Sequence, residues 1–283
     1  MKKCIFILLA IVIFLSNSGC STPEKTNIAT TTLPIYEFTA RLCSGSDLAV
    51  TLLITEEVSC LHDYSLQINQ MQAIERADLV IINGAGLEDF MSDALQASIN
   101  QVDASSGLTL HHDHHEHHSS DPHIWLSPEY AKSMTKTIYQ ALIQEYPHHK
   151  ELFTQNLHDL LADLDELQEY GNVQLSNLSC REIICFHDGF SYFAESFDLH
   201  ILKAVEEESG SEASAQTLIE LTQLVNAHNI PAIFTEINGS ASAANIISAE
   251  TGVPVFTLDM AISGDSYFES MYRNIDIIRE ALQ

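Results

Sequence analysis

Short apolar runs alternate along most of the chain with longer segments in which apolar residues recur at helical spacing. The runs predict β-strands over residues 28–32, 48–55, 79–83, 108–110, 182–186, 201–204, 232–235 and 253–258. The intervening segments predict helices, among them 34–42, 67–77 and 266–282. Strands that alternate with helices in this way form mostly parallel sheets with helices on both faces.

One interval, from about residue 128 to 170, lacks strand signals and interrupts this alternation. Within it, one apolar stripe of a long helix is formed by Phe153, Leu157, Leu160, Leu164 and Leu167. The stripe covers only about two heptads, which is shorter than a coiled coil requires. We therefore predict an α/β fold of two lobes, each a mostly parallel sheet flanked by helices, joined by one long rigid helix.

The N-terminus has the layout of a secretion signal. Lys2 and Lys3 precede an apolar run of 12 residues that ends at Leu15. Such a run is shorter than the roughly 20 residues of a membrane-spanning helix but typical of a signal peptide. Cys20 follows Asn17-Ser18-Gly19, which resembles a bacterial lipobox, in which the cysteine carries the lipid. We expect an extracytoplasmic protein anchored to the membrane by lipidated Cys20, or a periplasmic one if the lipobox is not used.

The same pattern divides the chain into five units. The predicted limits are a signal peptide at 1–19, a lipid-anchored tether at 20–26, an N-terminal lobe at 27–147, a linking helix at 148–178 and a C-terminal lobe at 179–283. The N-terminal lobe includes a histidine-rich loop at 111–118.

Composition excludes one class of partner. The chain carries 12 Lys and Arg against 39 Asp and Glu, a formal net charge of −27. Nucleic-acid binding needs a basic surface, so we expect no nucleic-acid partner. We also expect the protein to be a monomer. Four cysteines follow the tether, Cys43, Cys60, Cys180 and Cys185, and they allow three disulfide pairings. If 182–186 is a strand, Cys180 and Cys185 are too far apart to bond each other.

Histidine is the unusual component, because six of the 14 histidines lie within eight consecutive residues. The tract is interleaved with acidic residues, and such tracts bind metal ions. Its expected role is to collect weakly held zinc, and the alternative is a solvated loop without a role in transport. The six residues are His111, His112, His114, His115, His117 and His118.

Four further residues of the kinds that bind metal ions lie at the ends of predicted strands or in the segments that follow them. His187 directly follows the strand at 182–186, and Asp259 directly follows the last strand. His62 comes after the second strand and a short loop, and His123 follows the histidine-rich tract. In open α/β sheets, ligands bind outside the carboxyl ends of the strands. Taken singly, each histidine also fits a hydrogen-bonded structural residue, and Asp259 fits a helix N-cap.

Local motifs around these residues resemble the zinc and manganese ABC-transporter solute-binding lipoprotein family. The motifs are His62-Asp63-Tyr64, Asn83-Gly84-Ala85-Gly86-Leu87-Glu88, Asp121-Pro122-His123-Ile124-Trp125-Leu126-Ser127-Pro128, Phe186-His187-Asp188-Gly189-Phe190 and Leu258-Asp259. The resemblance implies two α/β lobes bridged by a long rigid helix, with one metal ion at their interface. It implies His62, His123, His187 and Asp259 as the ligands, and an ABC-transporter membrane permease as the partner.

The implied donor set favours Zn²⁺, because zinc prefers nitrogen-rich tetrahedral sites whereas manganese prefers oxygen. The resemblance implies that family members with histidine at the position of His187 bind zinc and those with glutamate there bind manganese. Some relatives with three histidines and one aspartate accept Mn²⁺ too, so Mn²⁺ is the alternative ion. Four protein ligands leave no open position for catalytic water, and the chain has no HExxH or GxSxG motif, so we expect no enzyme. Glu236 resembles a recurrent family position and is interpreted as a structural residue or a residue that supports a ligand, not as a catalytic base. A metal-stabilised surface adhesin is the remaining alternative.

Overall fold

The computed structural model describes residues 27–58, 61, 64–96, 98, 100–111, 120–205 and 213–283. The predicted signal peptide, the tether and Cys20 lie outside these residues. Within them, no helix has both the length and the apolar character needed to cross a bilayer. The residue limits assigned to the lobes from the sequence stay predictions.

The N-terminal lobe contains a four-stranded parallel sheet of strand order β2-β1-β3-β4. Its strands are β1 (Asn27–Thr30), β2 (Ala49–Leu52), β3 (Leu79–Ile82) and β4 (Gln101–Asp103). Its helices are α1 (Leu33–Leu42), α2 (Ile68–Arg76) and α3 (Ser92–Leu95). All four residues of β3 are buried, as expected for an inner strand of a sheet covered on both faces.

Two helices fill the interval that lacks strand signals: α4 (Pro128–Glu145) and α5 (Lys150–Gln174). A short 3₁₀ turn that starts at Pro147 separates them, since proline cannot continue a helix hydrogen-bond ladder. The 25-residue α5 packs against α1, α4 and the last helix of the chain, α9 (Tyr267–Leu282). Four of its five stripe residues are fully buried, namely Phe153, Leu160, Leu164 and Leu167. The predicted long helix that links two lobes is confirmed.

The C-terminal lobe repeats the parallel arrangement with strand order β6-β5-β7-β8. Its strands are β5 (Glu182–Cys185), β6 (His200–Ala204), β7 (Ile233–Glu236) and β8 (Val255–Leu258). Its helices are α6 (Ser191–Ser196), α7 (Ala215–His228), α8 (Ser242–Thr251) and α9 (Tyr267–Leu282). The predicted fold class, two parallel sheets flanked by helices, is therefore confirmed.

One predicted strand is wrong. Residues 108–110 form no strand, and the fourth strand of the first sheet is Gln101–Asp103. This edge strand has only three residues, two of them polar, so it carries no apolar run to reveal it. Leu108 and Leu110 are instead half-buried side chains that pack against the core from a loop. An apolar pair of this kind cannot by itself distinguish a strand from a packed loop.

The larger of two hydrophobic clusters extends across both lobes, the smaller lies within the C-terminal lobe, and hydrogen bonds also join the lobes. The Trp125 indole nitrogen donates to the Met260 carbonyl at 2.7 Å, and the Tyr267 hydroxyl donates to the Trp125 carbonyl at 2.8 Å. The Leu33 amide donates to the Ile262 carbonyl at 3.1 Å. Both aromatic rings are fully buried, so these bonds lie out of solvent.

Candidate metal centre

His123 is held in a fixed orientation by Asp121, two residues before it. Asp121 Oδ1 accepts the His123 backbone N–H at 2.9 Å and pairs with the His123 ring Nδ1 at 2.8 Å. The imidazole is buried, and a proton on Nδ1 leaves the lone pair on Nε2. This carboxylate–imidazole contact is the arrangement that orients metal-binding histidines in proteins.

Asp121 is itself held by two side chains of the C-terminal lobe. Its Oδ2 accepts a hydrogen bond from the Ser191 hydroxyl, and its backbone carbonyl accepts one from the Tyr192 hydroxyl at 3.1 Å. Burial raises the pKa of Asp121, but the hydrogen bonds from His123 and Ser191 outweigh burial and hold that pKa below its ordinary value. Asp121 therefore stays an ionised acceptor, which keeps the His123 proton on Nδ1.

The loop before His123 is anchored to the end of β3. The Asn83 side-chain amide donates to the Pro122 carbonyl at 3.0 Å. Asn83 is in turn fixed by the buried Glu88, which accepts the backbone N–H of Asn83 at 2.8 Å and that of Gly84 at 3.0 Å. A chain of hydrogen bonds thus connects Glu88 to the backbone on which His123 sits.

His187 reaches the same point from the other lobe. It lies two residues beyond the end of β5, and its Nε2 is 3.4 Å from the Nε2 of His123. The two rings stand at 87° to each other, with centroids 5.2 Å apart. Two nitrogens bound to one tetrahedral zinc ion at 2.0–2.1 Å lie roughly 3.3–3.4 Å apart. The observed separation therefore matches the spacing that two zinc-bound imidazoles require.

Two neighbours shape the position of His187. Its Nδ1 lies 3.6 Å from Glu236 Oε2, a buried carboxylate at the end of β7. A Cβ atom on Gly189 would lie 2.7 Å from His187 Cδ2 and 2.4 Å from Met260 Cε, so only glycine leaves room for this ring. A proton on His187 Nδ1 would face this carboxylate and leave Nε2 as a donor atom for an ion.

Asp259 directly follows β8 but is held by its own lobe. Its Oδ1 accepts the Ala261 N–H at 2.8 Å, and its Oδ2 accepts the Ser270 hydroxyl at 2.7 Å. The N-cap of the last helix is Ser266, so the N-cap interpretation of Asp259 is wrong. Among the described residues, a group of three donor atoms within 4.8 Å of one another is found elsewhere and does not include Asp259.

The other predicted site residues fall largely outside the described residues. His62 does, as do His112, His114, His115, His117 and His118 of the histidine-rich tract. His111, at the start of the tract, is described. Its ring stacks on Tyr192 with centroids 4.1 Å apart, and its Nε2 lies 2.8 Å from Glu195 Oε2. The described base of the tract is therefore attached to the C-terminal lobe.

Sequence reasoning missed the role of Asp121 and Ser191 in this site. Asp121 stands in the quoted motif two residues before His123, which is a usable signal for a carboxylate that turns back onto the ring. Ser191 lies 70 residues away from Asp121, and only the packing of α6 brings its hydroxyl to the carboxylate.

Comparisons with known proteins identify the family of this chain. A family profile described as zinc-uptake complex component A, periplasmic (ZnuA), matches residues 28–281. In an alignment 309 positions long, the chain is 28% identical to a putative metal-binding protein of Treponema pallidum. The alignment covers 99% of this chain and 97% of that relative. It is 29% identical over 308 aligned residues to the zinc-binding lipoprotein AdcA of Streptococcus pneumoniae. That match covers 99% of this chain but 61% of the relative, so the chain spans less than two thirds of that protein.

Solved structures extend the comparison to the fold. The crystal structure of a ZnuA mutant lacking residues 138–173, with zinc bound, superposes with a TM-score of 0.81 at 26% identity. The superposition covers 92% of this chain and 99% of that chain. Because the family profile spans nearly all of the described residues, the chain belongs to the ZnuA family of periplasmic zinc-uptake components.

Proposed function

We propose that this protein captures one Zn²⁺ ion outside the cytoplasm and delivers it to an ABC importer. The observation that carries the proposal is the 3.4 Å separation of the His123 and His187 Nε2 atoms, one from each lobe. The other nitrogen of His123 pairs with Asp121, and that of His187 faces Glu236, which supports an arrangement in which both Nε2 atoms are available to one ion. Membership of a zinc-uptake family supports the same role.

The proposed ligand set is His62, His123, His187 and Asp259. Asp259 Oδ1 accepts the Ala261 N–H, and Oδ2 accepts the Ser270 hydroxyl and lies 3.5 Å from Arg273 Nη1, so the second lone pair of Oδ1 can serve an ion. Asp259 would complete the set by approaching the imidazole pair as the ion binds. The role of His62 rests on its motif.

The donor set supports zinc over manganese. Three imidazoles and one carboxylate suit a tetrahedral zinc ion, whereas Mn²⁺ favours more oxygen donors. A binding protein of mixed Zn²⁺ and Mn²⁺ use is the alternative within the same class. Competition between the two ions for the purified protein separates the cases, because equal affinities would contradict a zinc-type site.

A transport role fits this site better than catalysis. Catalytic zinc sites keep a position open for water or substrate, and the proposed set fills all four positions. Solute uptake is also the role described for the family. Loss of zinc uptake on deletion supports the carrier, whereas intact uptake with lost surface adhesion would support an adhesin.

The carrier would act as a monomer anchored through lipidated Cys20 beside a membrane permease. The AdcA relative is named a lipoprotein, which supports such an anchor for this chain. We expect the full-length protein to sediment with membranes and Cys20→Ala to be released or left unprocessed. An unmodified N-terminus downstream of Cys20, found by mass spectrometry, would contradict the anchor.

The histidine-rich tract would collect zinc near the proposed site between the lobes at His123 and His187, here called the cleft, a proposal that rests on the composition of the tract. Replacing its five outer histidines (112, 114, 115, 117 and 118) by serine should lower the total zinc bound and leave the tight ion in place. This five-serine variant, named here the loop-silent protein, also removes the tract as a source of error in measuring the central site.

The central test measures zinc affinity in the loop-silent protein by competition with a chelator. Zinc binding should weaken by more than about 100-fold in each of four variants: His62→Ala, His123→Ala, His187→Ala and Asp259→Ala. Losing only a hydrogen-bond partner behind a ligand already costs about 10–100-fold in affinity, and losing the ligand itself should cost more. His200→Ala, an exposed histidine on β6, is the matched control and should bind as the parent does. A variant that binds zinc as tightly as its parent has not lost a ligand.

A further inference from the structure

A second group of metal-ligand side chains lies away from the cleft. Asp47, His148 and His149 place one donor atom each within 4.8 Å of one another. We propose that these three residues form a second, surface binding site for a divalent transition-metal ion such as Zn²⁺. The site would be weaker than the cleft and does not depend on the cleft being a zinc site.

Its position in the fold separates it from the cleft. Asp47 lies two residues before β2, at the amino ends of the parallel strands, whereas His187 follows the carboxyl end of β5. His148 and His149 belong to the 3₁₀ turn that directly precedes α5. The two sites therefore use different residues, one set before the amino end of a strand and the other after a carboxyl end. A variant of one site is expected to leave the other intact.

The donors are already arranged around one another. His149 Nε2 lies 2.9 Å from Asp47 Oδ1, and the ring centroids of His148 and His149 are 4.1 Å apart. His149 is the fixed member, because its ring packs 5.5 Å from the ring of the fully buried Phe153 and its side chain is only 17% exposed. Asp47 is 83% exposed, so solvent ions reach the group directly.

The loop that carries Asp47 is tied to α5, which limits the entropy lost when an ion binds. The Asn156 side chain, two turns into α5, donates to the Leu42 carbonyl at 2.8 Å and the Ser44 carbonyl at 2.9 Å. The Ser46 hydroxyl donates to the Cys43 carbonyl at 2.6 Å. The segment before Asp47 therefore cannot drift away from the two histidines.

The donor chemistry selects the class of ion. Two imidazoles and one carboxylate suit Zn²⁺ and its late first-row neighbours, whereas Ca²⁺ and Mg²⁺ prefer oxygen ligands throughout. Hydrogen bonds from its own backbone and from His149 hold the pKa of Asp47 below its ordinary value, so an anionic donor is present. That charge offsets the positive end of the α5 dipole, which otherwise disfavours a cation at a helix N-terminus.

Binding would replace the hydrogen bond between His149 and Asp47. If His149 Nε2 becomes the ligand atom, its proton moves to Nδ1 through solvent, and the ring stays neutral. The ion would then bond the α1–β2 loop directly to the start of α5, with water completing its coordination. Such a link joins two residues 102 positions apart, so it is expected to raise the melting temperature.

The test counts zinc ions by calorimetry in the loop-silent protein at neutral pH. We expect two ions per chain, and one after His148→Ala or the pair His148→Ala and His149→Ala. His158→Ala is the matched control, because His158 is 81% exposed and lies 3.4 Å from Asp159, with no third donor grouped with them in the described part of the chain. It should retain both ions. A count of two in both histidine variants overturns the proposal, as does a count of one in the parent.

Two further variants keep this result distinct from a failure of the cleft. His187→Ala should lose the tight ion and keep the weaker one, and zinc should still raise its melting temperature. Asp47→Asn should lose the weaker ion, and because Asp47 is exposed, the metal-free protein should melt at the parent temperature. If His187→Ala binds no zinc while retaining Asp47, His148 and His149, the second site does not exist.

Discussion

At the scale of single residues, Asp121 acts on the proposed ion only through His123. Asp121→Asn preserves the size of the side chain but removes the charge that holds the His123 proton on Nδ1. We expect zinc affinity to fall by about 10–100-fold, the usual effect of losing a carboxylate behind a metal-bound imidazole. Chelator competition measures this. Asp198→Asn, an exposed carboxylate, is the control, and an unchanged affinity in Asp121→Asn would show that His123 needs no such partner.

Glu88 gives a second residue-scale prediction, concerning stability. Burial raises the pKa of Glu88 to about 7, above its ordinary value of 4.5. The folded state thus holds this proton more tightly than the unfolded state does. The resulting stabilisation is fully present below about pH 4.5 and is lost as pH rises towards 7.

The variant Glu88→Gln does not titrate at this position, so it isolates the effect. The free energy of unfolding of the wild type, relative to the variant, should decrease by roughly 2–3 kcal/mol between pH 4.5 and pH 8. Urea denaturation at several pH values measures this difference. A difference that is constant with pH would mean that Glu88 titrates alike in both states.

Single residues also show what the sequence can predict of the site. His123 and His187 were predicted as ligands from strand ends and motifs, and the structure brings their Nε2 atoms together. The hydrogen bonds behind them were not predicted, because Ser191 reaches Asp121 only through the packing of separate elements. Asp259 shows the same limit, since its carboxylate contacts Ser270 on α9. That the four residues ligate one ion stays a prediction.

At the scale of elements, the apolar pattern predicts best where burial is two-sided. β3 is buried at every position and was predicted as a strand, and α9 was predicted as a helix over 266–282, although its N-cap, Ser266, was not predicted. β4 was missed because an edge strand of three residues needs no apolar run, and its position is set by pairing with β3. Local pattern therefore predicts inner strands and amphipathic helices and fails where tertiary pairing alone defines the element.

Gly171 lies on the long helix α5 and packs closely against the ring of Phe197. A Cβ atom added there would lie 2.1 Å from the Phe197 ring, a buried side chain that follows α6. Gly171→Ala should therefore destabilise the protein by about 1–3 kcal/mol through overpacking, which outweighs the gain of up to about 1 kcal/mol in helix propensity. Val173→Ala, an exposed position of the same helix, is the control. Denaturant unfolding decides, and a more stable Gly171→Ala protein would contradict the contact.

At the scale of the whole molecule, the two lobes meet at Trp125, which follows His123 by two residues. Its indole is fully buried and donates to Met260 in the C-terminal lobe, while its carbonyl accepts from Tyr267. Residues 135 and 142 positions apart in the chain make these bonds, so no local pattern predicts them. A ligand held between the lobes must therefore act on the same interface that Trp125 occupies.

This position makes Trp125 a reporter of the proposed cleft. It is the one tryptophan of the chain, and its ring centroid lies 5.4 Å from that of His123. Zinc on His123 changes the charge distribution beside the indole, so tryptophan emission should change in intensity and saturate at one ion per chain. The emission maximum should stay at short wavelength, since the ring remains buried.

The same titration separates the two proposed sites in one molecule. Asp47 lies before the amino end of β2, and His148 and His149 lie in the turn before α5, so zinc bound there should leave Trp125 emission unchanged. In the loop-silent protein, His187→Ala should lose the fluorescence response while calorimetry still detects the weaker ion. His148→Ala should keep the full response and lose that weaker ion. A fluorescence change that survives His187→Ala, or one that requires His148, would show that the ion sensed by Trp125 is not held between the lobes.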